Sequence, residues 1–251
     1  MCELYLHSAP APTADHPWLA EFLTHAAQPF DNPNGWGLAA FCGRDAQEFR
    51  EAESAANSAL ASYISANPPR TDVLIAHLRA ASSGAISLAN TQPISRVVGH
   101  GDRVSRLVFV HNGSVADFMD SDTGEALKGC AIGSADSEIA FLRFTDFMND
   151  RPLGDCVPDF HRFACEMAAI GPFNVIVSDG LDILVHSDIR KHQADGDDAD
   201  FRGPGLYEQN DSRGHLVLTS EPLSDTTEPI PRGTSLHIRA GLILQRYSDA
   251  C

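Results

Sequence analysis

The chain has 251 residues, 43% of them hydrophobic, which is enough to bury a sizeable core, and its Asp and Glu outnumber Lys and Arg by 34 to 18. A formal charge of -16 repels phosphate backbones and anionic lipid headgroups, so nucleic acid and membrane surfaces are excluded as expected partners. No charged-then-apolar leader occupies the first 20 positions, no apolar run nears the roughly 20 residues of a membrane span, and the six cysteines lack zinc-ligand spacing, so the expectation is a reduced, cytoplasmic chain without a metal.

Cys2-Glu3-Leu4-Tyr5-Leu6-His7 alternates in part as a strand does, and Pro17 opens a helix whose Trp18, Leu19, Phe22, Leu23 and Ala26 share one face. After the turn-rich Asp31-Asn32-Pro33-Asn34-Gly35, residues 36–42 read as a strand and 55–65 as a helix. Residues 73–78 and 107–111 are further strands, with mostly loop from 79 to 106. Helical periodicity over 136–169 breaks at 149–158.

The rest is β-rich. Residues 173–178 and 181–186 flank Asp179-Gly180, whose chemistry suits a type I′ hairpin turn, and 215–219, 235–239 and 242–247 complete the strands. The acids of Asp195-Gly196-Asp197-Asp198-Ala199-Asp200 do not fall at calcium-loop positions, so the polar stretch 188–213 is read as a solvated loop. With no repeat or linker, the expectation is a single α+β domain with about four helices.

No G-x-S-x-G elbow, H-E-x-x-H helix or phosphate loop is present. What stands out is Cys2, because removal of Met1 would leave one residue carrying both a thiol and a free α-amine. Their reference pKa values, roughly 8.5 and roughly 7.7–8.0, lie close enough for easy proton exchange. In Val110-His111-Asn112-Gly113-Ser114 a strand ends on a side-chain amide and an unhindered backbone N–H, two donors suited to an oxyanion hole, though a plain Asn-Gly turn reads the same way. Arg79 closes a strand, where it suits a carboxylate or serves as a structural cation. Asp136 begins a helix and reads equally as a cap or as the partner of an ammonium group. His77 and His111 are expected to pack with one ring nitrogen satisfied, and the other cysteines to be inert thiols.

Taken in order, Met1-Cys2-Glu3-Leu4, Asn34-Gly35-Trp36-Gly37, Ile75-Ala76-His77-Leu78-Arg79-Ala80, Asn90-Thr91-Gln92-Pro93, Val110-His111-Asn112-Gly113 and Ala135-Asp136-Ser137-Glu138 resemble the class II glutamine amidotransferases of the N-terminal nucleophile hydrolase superfamily. Phe173-Asn174-Val175 with Ser178-Asp179-Gly180, Thr219-Ser220-Glu221-Pro222-Leu223 and Pro231-Arg232-Gly233-Thr234 extend the resemblance along nearly the whole chain. It is nearest the compact stand-alone branch that includes YafJ-type proteins and the ergothioneine-pathway amidohydrolase.

The resemblance implies a four-layer αββα sandwich with two antiparallel sheets. It implies Cys2 as nucleophile with its freed amine as base, Asn112 and Gly113 as the oxyanion hole, Arg79 on the substrate α-carboxylate and Asp136 on its α-amine. Gly35 and Trp36 would form a loop beside the nucleophile. No cofactor is implied, and the substrate is a small molecule, glutamine or a γ-glutamyl amide. Gln92, Asn34 and the Ala80-Ala81-Ser82-Ser83-Gly84 stretch depart from glutamine-specific relatives, so both substrate types stay open. Because the motifs run to about residue 235, no attached synthase domain is expected. A stand-alone hydrolase is the first reading, a glutaminase subunit feeding a separate synthase the second, and a non-catalytic γ-glutamyl-binding domain the third.

Overall fold

The computed structural model describes residues 2–81, 84–100, 103–191 and 202–248, with elements numbered here in chain order. The first half comprises β1 (Glu3–Thr13), α1 (Leu19–Thr24), β2 (Trp36–Cys42), β3 (Asp45–Glu51), α2 (Ala59–Ala66), β4 (Thr71–Leu78), β5 (Ile94–His100) and β6 (Arg103–Gly113). Next come the helices α3 (Ala116–Met119), α4 (Asp122–Lys128), α5 (Asp136–Met148) and α6 (Val157–Ala168). The remaining strands are β7 (Phe173–Ser178), β8 (Ile183–Ser187), β9 (Ile189–Lys191), β10 (Arg202–Pro204), β11 (Tyr207–Asn210), β12 (Leu216–Thr219), β13 (Glu228–Pro229), β14 (Thr234–Arg239) and β15 (Leu242–Tyr247).

Two antiparallel sheets result, ordered β13-β11-β12-β1-β4-β2-β3 and β15-β14-β8-β7-β6-β5, with β9 and β10 paired apart. Side chains alternate across each strand, so one face of each sheet meets the other sheet and the opposite face meets helices. Leu4, Leu6, Val73 and Ile75 pack against Val108, Val110, Ile176 and Leu236 from the second sheet. Tyr5, Leu74 and Ala76 face α1 and α2, while Leu107, Phe109, Val175 and Val177 face α5 and α6. Helices, sheet, sheet and helices therefore form the four layers expected, and central strands are apolar on both faces. Each such buried Leu or Phe contributes about 1.5–3 kcal/mol.

β2 and β15 have the expected bounds, and the helical stretch breaks where expected because Asn149 ends α5 in the left-handed conformation and a proline sits in the first turn of α6. Three expectations of secondary structure change. Residues 94–100 and 103–106, expected as loop, are strand. β3 and β5 are sheet edges: β3 exposes Asp45 and Gln47, and β5 mixes part-exposed Ser95 and Arg96 with exposed Val97 and Gly99, so neither shows a clean strand pattern. Six α-helices are present among the described residues rather than about four. At Asp179-Gly180 the register Ser178↔Ile183 leaves a four-residue loop rather than a two-residue type I′ turn. Only Gly180 takes a positive φ there, and Asp179 Oδ1 caps the N–H groups of Leu181 and Asp182.

The polar stretch 188–213 is also not simply a solvated loop, because Asp188 and Arg190 are buried; its acids at 195–200 lie outside the described residues. Cys2, Cys42, Cys130 and Cys156 are free thiols, whereas Cys165 is disulfide-bonded, against the expectation of a free thiol. No helix among the described residues is long and apolar enough to cross a membrane.

Burial holds three histidines uncharged. His7 is pushed down to about 3 by burial and then by His16 and His215, with Nδ1 of His7 and His16 2.7 Å apart. His77, by burial and then His111 and Arg79, and His186, by burial and then His161, also fall to about 3. Below the ordinary value of 6.5 the unfolded chain binds protons that the folded one refuses, so stability is lost as pH falls from 6.5 toward about 3. Each histidine adds a slope approaching about 1.4 kcal/mol per pH unit. Thermal unfolding at pH 7.5, 6 and 5 should show the midpoint dropping before carboxylates begin to titrate, and a flat midpoint over that range would contradict the burial argument.

Candidate active site

β1 lies between β12 and β4, and the register Glu3↔Leu78 sets Cys2 and Arg79 side by side at the ends of their strands. The part-exposed Cys2 thiol donates to the Ala80 carbonyl at 3.4 Å. Burial raises its pKa, while the Arg79 and Arg190 guanidiniums draw it down. The thiol is therefore a poor nucleophile until a base takes its proton.

Arg79 is buried and clasped by the preceding loop: its N–H donates to Gly35 O at 2.8 Å, and its carbonyl accepts from Asn34 N–H at 2.9 Å. Asn34 Oδ1 accepts from Ala81 N–H at 2.9 Å, and Arg79 Nη1 donates to Ala85 O at 3.0 Å. Gly35 has φ 139°, and a Cβ there would lie 3.0 Å from Thr91 Oγ1, so the loop follows a path that favours glycine. The Trp36 side chain packs into the cluster with α1 and α2 and donates Nε1–H to Glu51 at 2.9 Å, anchoring the loop from behind.

Asn112 and Gly113 end β6. Asn112 Nδ2 donates to Ser220 Oγ at 3.3 Å, and the same oxygen accepts Leu4 N–H at 3.0 Å, which ties the amide to the strand that follows Cys2. Asn174, opposite Asn112 in β7, donates Nδ2–H to Asn112 O at 3.1 Å. Gln92 brackets the preceding residue, accepting His111 N–H at 2.6 Å and donating to His111 O at 3.2 Å. His111 Nδ1 meets Ser137 Oγ at 2.9 Å, as expected of a packed histidine, whereas both ring nitrogens of His77 lack a hydrogen-bond partner among the described residues.

Asp136 is the first residue of α5, following Ala135 at the N-cap position rather than capping the helix itself, and its carboxylate serves two backbone donors. Its Oδ2 accepts Val115 N–H at 2.7 Å and its Oδ1 accepts Ser137 N–H at 2.8 Å. A carboxylate offers about four lone-pair directions, so both oxygens keep capacity for an ammonium group.

A model of the family "Glutamine amidotransferases class-II" matches residues 1–195. The chain belongs to that family. It is 25% identical over 198 residues to YafJ of Escherichia coli (strain K12), a glutamine amidotransferase by assignment, covering 76% of this chain and 75% of that one. A Haemophilus influenzae relative assigned in the same way is 28% identical over 197 residues, 76% of this chain and 65% of the relative. A glutamine amidotransferase structure from Pseudomonas aeruginosa superposes with a TM-score of 0.63 at 22% identity, covering 97% of this chain and all of that one. The Bacillus subtilis glutamine phosphoribosylpyrophosphate amidotransferase, complexed with ADP and GMP, gives 0.65 at 14% identity, over 98% of this chain but 49% of its own. These likenesses fix the fold as that of class II amidotransferase domains.

Sequence reasoning left Arg190, Glu3, Glu221 and Ser220 without roles. Arg190 is buried, bonds Glu221 Oε1 at 2.5 Å and Ser220 O at 2.9 Å, and lies 3.6 Å from Glu3 Oε1, forming an ionic cluster within electrostatic reach of Cys2. Glu3 also accepts from Asn32 at 2.9 Å and pairs with His25 at 2.7 Å. The signals available were adjacency to Cys2 for Glu3 and the motif around Ser220; nothing local distinguishes Arg190 from a surface arginine.

Gly113 has φ 156°, and a Cβ on it would lie 1.7 Å from the Pro172 carbonyl oxygen. Gly113→Ala should cost about 2–4 kcal/mol through overpacking and backbone strain, read as a shift in urea midpoint. An unchanged midpoint would mean that the 172–173 segment yields freely.

Proposed function

We propose that this amidotransferase is a stand-alone hydrolase, a single domain over residues 1–251, that cleaves the side-chain amide of glutamine or a γ-glutamyl compound through a Cys2 thioester. The observation that carries the reading is the thiol at the head of a central strand, beside Arg79 and joined through Ser220 to the Asn112 amide. Trimming Met1 frees the Cys2 α-amine, which takes the thiol proton that the buried site otherwise retains. The sulfur attacks the amide carbon, and the oxygen gains charge facing the second Asn112 N–H and Gly113 N–H. The C–N bond then breaks, and the proton on the α-ammonium passes to the departing amine. Water, deprotonated by the Cys2 α-amine, attacks the thioester carbon, the C–S bond breaks to release the acid, and the proton held on the α-ammonium returns to the thiolate.

Arg79 would hold the substrate α-carboxylate and Asp136 its α-ammonium, so that the reacting carbonyl is oriented before chemistry begins.

Purified protein should have a mass short of one methionine and should release glutamate or ammonia from glutamine or a γ-glutamyl amide. Cys2→Ala should abolish release, and Asn112→Ala should lower kcat by about 10²–10³-fold. A retained Met1 with no release from any substrate would favour a non-catalytic binding domain. Release that appears only on adding native extract would favour an ammonia-supplying subunit.

Arg79→Lys keeps the charge but loses the planar fork, so it should raise KM by about 10–100-fold with a smaller change in kcat. Steady-state kinetics with an α-carboxylate substrate and its α-amide analogue test this. Equal loss on both substrates would remove Arg79 from carboxylate recognition.

A further inference from the structure

No residue of the Thr219-Ser220-Glu221-Pro222-Leu223 run makes or breaks a bond in the acyl chemistry described above, yet Ser220 lies between the Cys2 strand and Asn112. Ser220 follows β12 directly and is fully buried. It is bonded to Leu4 twice, with Ser220 N–H donating to Leu4 O at 3.1 Å and Ser220 Oγ accepting Leu4 N–H at 3.0 Å. One residue therefore holds both backbone groups of the residue two positions after the nucleophile. The same Oγ accepts from Asn112 Nδ2 at 3.3 Å, and the Ser220 carbonyl accepts from buried Arg190 at 2.9 Å.

The Asn112 backbone is already fixed by its pairing with Asn174 and by the Asn174 side chain on its carbonyl. What remains free is rotation of the amide itself, and that terminal torsion has no sharp intrinsic preference. A primary amide carries two N–H donors. Anchoring one on Ser220 sets the plane of the amide and the direction of the other. A donor aimed beforehand costs no reorganisation when charge develops on the substrate oxygen, which is why a fixed amide outperforms a mobile one.

We infer that Ser220 is a positioning residue for amide cleavage, its hydroxyl fixing the Asn112 amide relative to the strand that carries Cys2. The inference rests on the proposed hydrolase reading. Removing the hydroxyl also leaves Leu4 N–H unpaired, so the test must separate a misaimed donor from a displaced thiol. Alkylation of Cys2 by iodoacetamide does so, because it forms no oxyanion.

Wild type, Ser220→Ala, Asn112→Ala and the double variant are compared for kcat, KM and the rate of Cys2 alkylation. Ser220→Ala should lower kcat about 10–100-fold, less than outright loss of an oxyanion donor, with KM and alkylation within about twofold of wild type. In the Asn112→Ala background the same substitution should cost almost nothing further, because the two act as one unit. Equal cost in both backgrounds, or a matching fall in alkylation, would overturn the inference by making Ser220 a support of β1 only. Unchanged kcat in Ser220→Ala overturns it as well. A wild type inactive on every substrate instead overturns the hydrolase reading, and the two failures are thereby distinct. If Ser220→Ala does not fold, Ser220→Cys, a weaker acceptor, takes its place in the same cycle with the same outcomes.

Discussion

The position of β1 governs the rest. It is hydrogen-bonded along both edges, to β12 and to β4, so its first residues cannot fray as strand ends normally do. Both of its faces are covered, Leu4 and Leu6 by the second sheet and Tyr5 by the helical layer. A thiol at such a place inherits the rigidity of the core while the strand end opens it in part to solvent. The desolvation that raises its pKa comes from the same packing, so reactivity has to be supplied by a neighbouring base and by positive charge rather than by exposure.

The two sheets bring different chemical groups to one end of the sandwich. The first carries Cys2 and Arg79 on adjacent strands, and the second carries Asn112 and Gly113 at the end of β6. At this end of the sandwich the link between them is polar: Ser220, just after β12, bonds both Leu4 and Asn112, while Arg190 of β9 holds Glu3, Glu221 and the Ser220 carbonyl on the side of the first sheet. Buried ionic groups of this kind add little net stability, but removing one partner strands the others without solvent, so the cluster fixes geometry more than it adds free energy.

The interior of the fold was legible because central strands such as 36–42 and 73–78 are apolar on both faces, and Asn149 with a proline in the next helix mark a real break. The edges were not. Asp45–Glu51 exposes charge along one face, and residues 94–100 mix Arg, Gly and exposed valine, so neither carries a clean alternation. The residues proposed for chemistry could be named only because their short motifs follow one another in the family's order, since taken singly each reads equally well as a turn, a cap or a structural cation. Their supports could not. Arg190 lies in a polar run whose composition matches solvated loop, and its burial depends on Glu3 and Glu221, distant in sequence. Gln92 is a departure from the family motif whose meaning emerges only when its amide is seen bracketing the His111 backbone.

Arg79 and Arg190 put two cations within electrostatic reach of the thiol in a chain whose net charge is -16. Outside roughly one Debye length, about 8 Å at physiological salt, an approaching anion feels a repulsive shell; inside it, the Arg79 guanidinium beside Cys2 attracts an anion, while Arg190 is offset by Glu3 and Glu221. Arrival and retention are therefore governed by opposite fields. Added salt quiets the outer repulsion while barely reaching the inner charge, so ionic strength should act on how often anionic solutes enter rather than on how firmly they are held.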